Sequence, residues 1–201
     1  SSLESGAAPA VLTVLRTDTP EWRARAEQRM KLLEEVTAAG CGHLLPLLRV
    51  VRPPRAGSPD GARGVAPERL TLVTPYLRGG NLFDRIERYG PLPEGNARRV
   101  AAQLLSALAH LHQLRIVHGN LQPAALLFES VEIDQGALRL GGLGGARRVA
   151  AAAAASLEGA CGSPDYTCPE ALTWLVPGAH PKRYGAAADA WSAGALLYTM
   201  L

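Results

Sequence analysis

Lysine is nearly missing from this chain: Lys31 and Lys182 are the only two in 201 residues. Arginine carries the basic character, and the formal net charge is only +3. A small arginine surplus spread along the sequence lacks the clustered basic face that nucleic-acid binding needs, so that function is not expected. There are three cysteines, Cys41, Cys161 and Cys168, with no C-x-x-C spacing. That pattern fits free thiols in a reducing compartment, cytoplasmic or nuclear, better than a disulfide framework. No apolar run reaches about 18 residues, which excludes a membrane-spanning helix. No basic segment followed by an apolar run opens the chain, so no signal peptide is visible.

Apolar residues make up 47% of the chain, enough for one sizeable core or for one domain and part of another. Ala10 to Leu15 reads as a short apolar strand. Thr19-Pro20-Glu21 is a helix start, with Thr at the N-cap and Pro at the first position, and the helix runs to about Val36 with Met30, Leu33 and Val36 near one face. Leu44 to Val51 and Leu70 to Val73 read as strands, and Asn81 to Arg88 as a short helix. Between them, residues 53–67 are rich in Pro and Gly without apolar anchors, which predicts a disordered loop insertion. In Glu94 to Leu114 the residues Val100, Leu104, Leu108 and Leu111 recur at helical spacing, and Leu105 widens the stripe. Ala124 to Phe128 and Ala137 to Leu140 are strand candidates flanking a turn at Asp134-Gln135-Gly136. The alanine run 150–155 reads as part of an irregular loop. From Asp189 onward the sequence is apolar almost all round, which predicts a buried helix. Strands and helices mixed in the first part, followed by a helical part, predict two lobes and a cleft.

Five segments occur in a telling order: "LTLVTPYLRGGNLFDRI" from Leu70, "ALAHLHQLRIVHGNLQPAALLF" from Ala107, "LRLGGLGGARRV" from Leu138, "GSPDYTCPEAL" from Gly162 and "DAWSAGALLYTML" from Asp189. Together they resemble the hinge, catalytic loop, metal-binding loop, P-E landmark and buried helix of eukaryotic protein kinases, nearest to serine/threonine kinases of the calmodulin-kinase-like type. The resemblance covers about Leu70 to Leu201 and implies an α+β, two-lobed fold. It implies a small, incomplete β-rich N-lobe over 1–76 and a mainly helical C-lobe over 77–201, truncated within its long buried helix. Any single match is weak, and the order gives the set its force.

Phosphoryl transfer is mostly positioning and charge stabilisation, so a kinase needs a strand lysine, a catalytic aspartate and two metal ligands. Thr13 stands where the resemblance implies the lysine. Asn120 stands for the aspartate, and a neutral amide cannot act as a carboxylate base. Gly119 and Gln122 replace the loop Arg and Lys. Ala125 replaces the magnesium-binding Asn, and Gly142-Leu143-Gly144 replaces D-F-G, so neither position offers an oxygen to a hard cation. The helix glutamate that would pair with the lysine cannot be placed, with Glu27 and Arg29 both candidates. A glycine-rich phosphate loop is not identifiable, unless "SGAAPA" from Ser5 is its remnant.

What the resemblance retains is structural. His118 and Leu143 are packing positions, and the histidine reads as a core residue rather than a catalyst. Asp189 would accept hydrogen bonds from the backbone of the His118 loop, because a buried carboxylate must be paired. Glu170 would pair with an arginine that the family carries further along. His110 and His112, two apart on a helix, point to opposite faces and cannot easily share a metal ion.

These losses together predict a degenerate member, a pseudokinase that is not an enzyme and holds no metal or obligatory cofactor, acting as an interaction or allosteric module for a protein partner. An alternative is a weak, metal-independent ATP switch. The resemblance then gives the Pro75 carbonyl and the Leu77 N–H to an adenine, with Thr74 as a small gatekeeper, Leu127 under the ring and Asn81 toward a ribose. A further alternative is an atypical active serine/threonine kinase with a displaced cation, for which Arg16 is the nearby candidate.

Overall fold

The computed structural model describes residues 8–52, 69–132, 136–149, 155–159 and 162–201. The expected loop insertion at 53–67, Asp134 and Gln135 of the turn, residues 150–154 of the alanine run, Ser5 to Ala7 and Cys161 lie outside the described residues. The chain divides into two compact units, one built from 1–39 and 45–76, the other from 40–44 and 77–201.

The first unit holds β1 (Ala10–Leu15), α1 (Pro20–Ala38), β2 (Arg49–Val51) and β3 (Leu70–Pro75). The three strands form an antiparallel sheet in the order β1-β3-β2, with Thr13 opposite Leu72. Helix α1 starts where its sequence says it should: the Thr19 Oγ1 accepts the Trp22 N–H at 3.2 Å, and Pro20 spends no donor at the first position. Its buried face is Ala26, Met30, Leu32, Leu33 and Val36. The strand expected from Leu44 to Val51 is shorter than its apolar pattern. Pro46 has no N–H to give, and the Leu47 N–H is taken by the Thr37 Oγ1 at 2.8 Å. Ladder pairing therefore begins only around Leu48, whose N–H reaches the Val73 carbonyl at 2.9 Å.

The second unit holds α2 (Leu82–Tyr89), α3 (Glu94–Gln113), β4 (Ile116–Val117), β5 (Leu126–Phe128), β6 (Leu138–Leu140), β7 (Arg147–Arg148), α4 (Pro169–Leu172) and α5 (Ala187–Met200). Two small antiparallel pairs, β4-β7 and β5-β6, lie among these helices. Helix α3 buries Val100, Leu104, Leu108 and Leu111, while Leu105 is 55% exposed and does not widen the stripe. The strand expected from Ala124 begins at Leu126, because Pro123 opens a 3-10 turn over Pro123–Ala125.

Helix α5 departs most from its sequence reading. Asp189, Ser192, Ala193, Leu196 and Met200 are buried, a 3.6-residue stripe that includes two polar side chains. Trp191 is 54% exposed and Tyr198 86%. Among the described residues, only one face of this helix is covered, so near-uniform hydrophobicity did not translate into burial all round.

Candidate functional site

The loop between α3 and β5 is built around a buried carboxylate. Asp189, 1% exposed in the first turn of α5, accepts the His118 N–H at 2.8 Å on Oδ2 and the Gly119 N–H at 2.9 Å on Oδ1. The His112 Nε2 completes the set at 2.8 Å from Oδ2. Three nitrogens on one carboxylate satisfy most of its lone pairs, which is the condition for keeping such a group away from water. Gly119 turns the chain with φ +68°, a conformation glycine adopts without strain.

His118 is fully buried. Its Nε2 lies 2.8 Å from the Gly141 carbonyl, so that nitrogen carries the proton and donates. The Nδ1 then accepts the Asn120 N–H at 3.3 Å. Only a neutral ring serves both bonds. Burial pushes the imidazole below its ordinary titration range, against the opposing pull of the Asp189 charge and the Gly141 carbonyl.

The positions that would bear the chemistry gather beside this loop. A Cβ on Gly142 would lie 3.1 Å from the Ala125 Cβ and 3.8 Å from the His118 Cε1. A Cβ on Gly145 would lie 3.1 Å from the Asn120 Cβ. Asn120, Ala125, Gly142 and His118 therefore share one neighbourhood of the second unit. Gly142 has φ +72° and precedes a 3-10 turn over Leu143–Gly145, with Leu143 buried beneath it. Gln122 is half-buried, and its carbonyl accepts the Ala125 N–H at 2.9 Å. The residues present do not fit a magnesium ion: a methyl group stands at Ala125 and a hydrogen at Gly142. No group of three or more potential metal ligands occurs among the described residues.

Of the residues assigned to an adenine and ribose, Thr74 and Pro75 end β3 in the first unit, and both are half-buried. Leu77, Asn81 and Leu127 belong to the second. Leu77 is half-buried, and its carbonyl accepts the Gly80 N–H at 3.3 Å. Among the described residues no carbonyl takes the Leu77 N–H. Asn81 caps α2, its Oδ1 accepting the Asp84 N–H at 2.9 Å and its Nδ2 donating to the Asp84 carboxylate at 2.8 Å. Leu127 is the half-buried centre of β5. Thr13 is half-buried in β1. Glu170 is exposed on α4 and has no ion-pair partner among the described residues.

Sequence reasoning missed two residues here. His112, set aside as half of an unworkable metal pair, is a partner of Asp189 77 residues away. Gly79 lets two backbones meet: a Cβ there would run into the Ser130 carbonyl oxygen. The Leu-His pair ahead of the loop could have pointed to the first, but nothing local pointed to the second.

A family model described as a protein kinase domain matches residues 42–201. CBL-interacting protein kinase 8 of Oryza sativa subsp. japonica is 35% identical over 134 residues, 67% of this chain and 28% of the relative. CBL-interacting serine/threonine-protein kinase 7 of Arabidopsis thaliana is 37% identical over 66% of this chain and 29% of its own length. Serine/threonine-protein kinase DCLK3 of Homo sapiens is 35% identical over 66% of this chain and 19% of its length. The matched segment thus spans less than a third of each of these relatives.

These similarities correct the expectation that the chain is no enzyme, since the relatives carry the names of protein kinases. That expectation ran from a handful of side chains, whereas the likeness extends over the 134 residues that surround them.

Proposed function

From the premise that this chain belongs to the protein kinase domain family, we propose that it is a serine/threonine-type kinase domain that binds ATP at its hinge without magnesium, responds to it as a switch, and transfers phosphate slowly by an atypical route. The observation that carries the reading is the Leu77 N–H. It belongs to a half-buried residue just past β3, between exposed Tyr76 and Arg78, and no backbone carbonyl among the described residues takes it, which leaves the donor available to a ligand. An adenine ring supplies that acceptor, and Leu127 of the same unit offers it an apolar surface. Asn81 can serve a ribose only by giving up part of its cap on α2.

ATP supplies the phosphoryl group, and the chain's own residues decide how little else is added. Asn120 can orient a hydroxyl but cannot take its proton, which passes to the transferred phosphate or to water as the bond to ADP breaks, and this forgoes a factor of about 10² to 10⁴ in rate. Ala125 and Gly142 bring no charge to the phosphates, so affinity rests on the base rather than on a metal bridge. Cys41, a free thiol among the described residues, supports a reducing, intracellular setting, and a protein partner that reads the bound state belongs to the same proposal.

Calorimetry with ATP, run once with magnesium and once with EDTA, tests the reading. Similar affinity in both buffers, lost in Leu77→Pro, supports it. Binding that requires magnesium overturns it, as does no binding in either buffer. Transfer of labelled phosphate to a serine/threonine peptide tests the rate: turnover in the ordinary kinase range of about 1–100 s⁻¹ would refute the slow route.

A further inference from the structure

A cavity of about 470 Å³ opens beside α2, within the second unit and away from Asn120, Ala125 and Gly142. That volume falls in the range of ordinary ligand pockets, about 300–1,000 Å³. Arg78, Arg85 and Arg88 line it, with Tyr89 and Val131 supplying apolar surface at 66% and 58% exposure. Arg85 forms the fixed part. Its Nη1 donates to the Val131 carbonyl at 2.7 Å and to the Gly79 carbonyl at 3.3 Å, and its guanidinium lies 5.2 Å from the centre of the Phe128 ring. Those partners are neutral, so among the described residues the guanidinium has no ion pair, and its Nε is buried without an acceptor.

The other two cations are just as open. Arg78 and Arg88 form no ion pair among the described residues, and Arg88 is held only 6.0 Å above the Tyr89 ring. Two carboxylates also line the cavity, Asp84 and Glu87. Asp84 accepts from the Asn81 amide at 2.8 Å and keeps its charge, so three guanidinium groups stand against two carboxylates, neither in an ion pair among the described residues. Arginines in excess of their acids are a common way to read anionic groups on a partner.

The spacing selects among anions. Arg85 and Arg88 are three apart on a helix, about 5–6 Å between side-chain origins. Alternate residues of an extended peptide are about 6.5–7 Å apart on one face, close to the same interval. We infer that this trough docks an extended acidic peptide segment of a partner protein, its alternate carboxylates on Arg85 and Arg88 with Arg78 beyond them, and its apolar side chains against Val131 and Tyr89. The inference does not rest on the nucleotide reading, and either can fail alone.

The test is fluorescence anisotropy of the full chain with a labelled octapeptide alternating glutamate and leucine. The expected result is saturable binding, weakened at least tenfold in Arg78→Glu/Arg88→Glu and severalfold on raising salt from about 50 to about 300 mM. Arg98→Glu, an exposed arginine on α3 that has its own acid in Glu94, leaves affinity unchanged. Hydrogen exchange on the unaltered chain, a readout that needs no variant to fold, shows slowed amides over residues 78–89 when peptide is added. No binding up to about 1 mM peptide overturns the inference. So does equal binding of the lysine-for-glutamate peptide, equal loss in Arg98→Glu, or protection elsewhere than 78–89.

Discussion

The His118 turn and the Gly142 turn touch, yet they are held by opposite means. The first is fastened by a buried carboxylate that accepts from two backbone N–H groups and one imidazole. The second is fastened without a charge, by the Gly144 N–H to the Gly142 carbonyl at 2.7 Å, the Gly141 N–H to the Ala125 carbonyl at 2.8 Å and the neutral His118 ring on the Gly141 carbonyl. Charge remains where it orients the chain and is absent where it would meet a metal. Holding a kinase loop in place and equipping it for chemistry are therefore separable tasks, carried by different side chains a few ångströms apart.

Removing the carboxylate breaks that contrast most directly. Asp189→Ala strands two backbone donors and leaves the part-exposed His112 ring without its acceptor, and costs about 3–5 kcal/mol, the scale for breaking a buried charged network. Urea denaturation measures it, and a loss under about 1 kcal/mol would mean that the loop is held by packing instead. Next in size is a pH effect. Burial lowers the folded titration range of His118, so the unfolded chain takes up that proton first as the pH drops below about 6.5. This contribution to stability is complete above about pH 6.5. It is lost toward the folded ring's lower range, by up to about 1.4 kcal/mol per pH unit. Urea midpoints at about pH 7.5 and about pH 5 show the slope, and His118→Gln flattens it relative to the parent; parallel slopes would sink the assignment.

The Gly142 turn answers more mildly. Gly142→Ala places a side chain at φ +72° and 3.1 Å from the Ala125 methyl, and costs about 1–2 kcal/mol by thermal melting while ATP affinity stays constant. A gain of stability would show that the left-handed turn is not required. The smallest effect belongs to the surface. Arg183 and Glu158 pair at 2.6 Å with both side chains more than half exposed, so Glu158→Gln changes stability by less than about 1 kcal/mol. A larger loss would bring this pair into the class of Asp189.

How far the sequence could be read follows from the range of the forces involved. Helix α1 was legible because its start is local, with Thr19 and Pro20 next to the residues they serve. Helix α3 was legible because its periodic stripe is long. The strand at Leu44 was not, because the Thr37 hydroxyl diverts a donor from ten residues away. Leu105 and the outer face of α5 were misjudged for a related reason: hydrophobicity says what a side chain favours, and only the neighbours decide whether it is covered. At the site, ordered motifs led to Asn120, Ala125, Gly142 and Asp189. His112 and Gly79 escaped because each acts on a partner that only the folded chain brings near. The inference from missing charges to a missing activity escaped correction until relatives were compared, since a local loss says nothing of the family around it.

The Asp189 tie also has a consequence for how the chain is made. The donors it satisfies lie 71 and 70 residues before it. At a synthesis rate of about 5–20 residues per second, the His118 loop waits roughly 4–14 s for its acceptor to be built. During that interval its backbone N–H groups have only water or a chaperone to bond, however well α3 has already formed. A translational pause between codons 119 and 189 would prolong that exposure, and the yield of folded protein would register it before any assay of the finished molecule could.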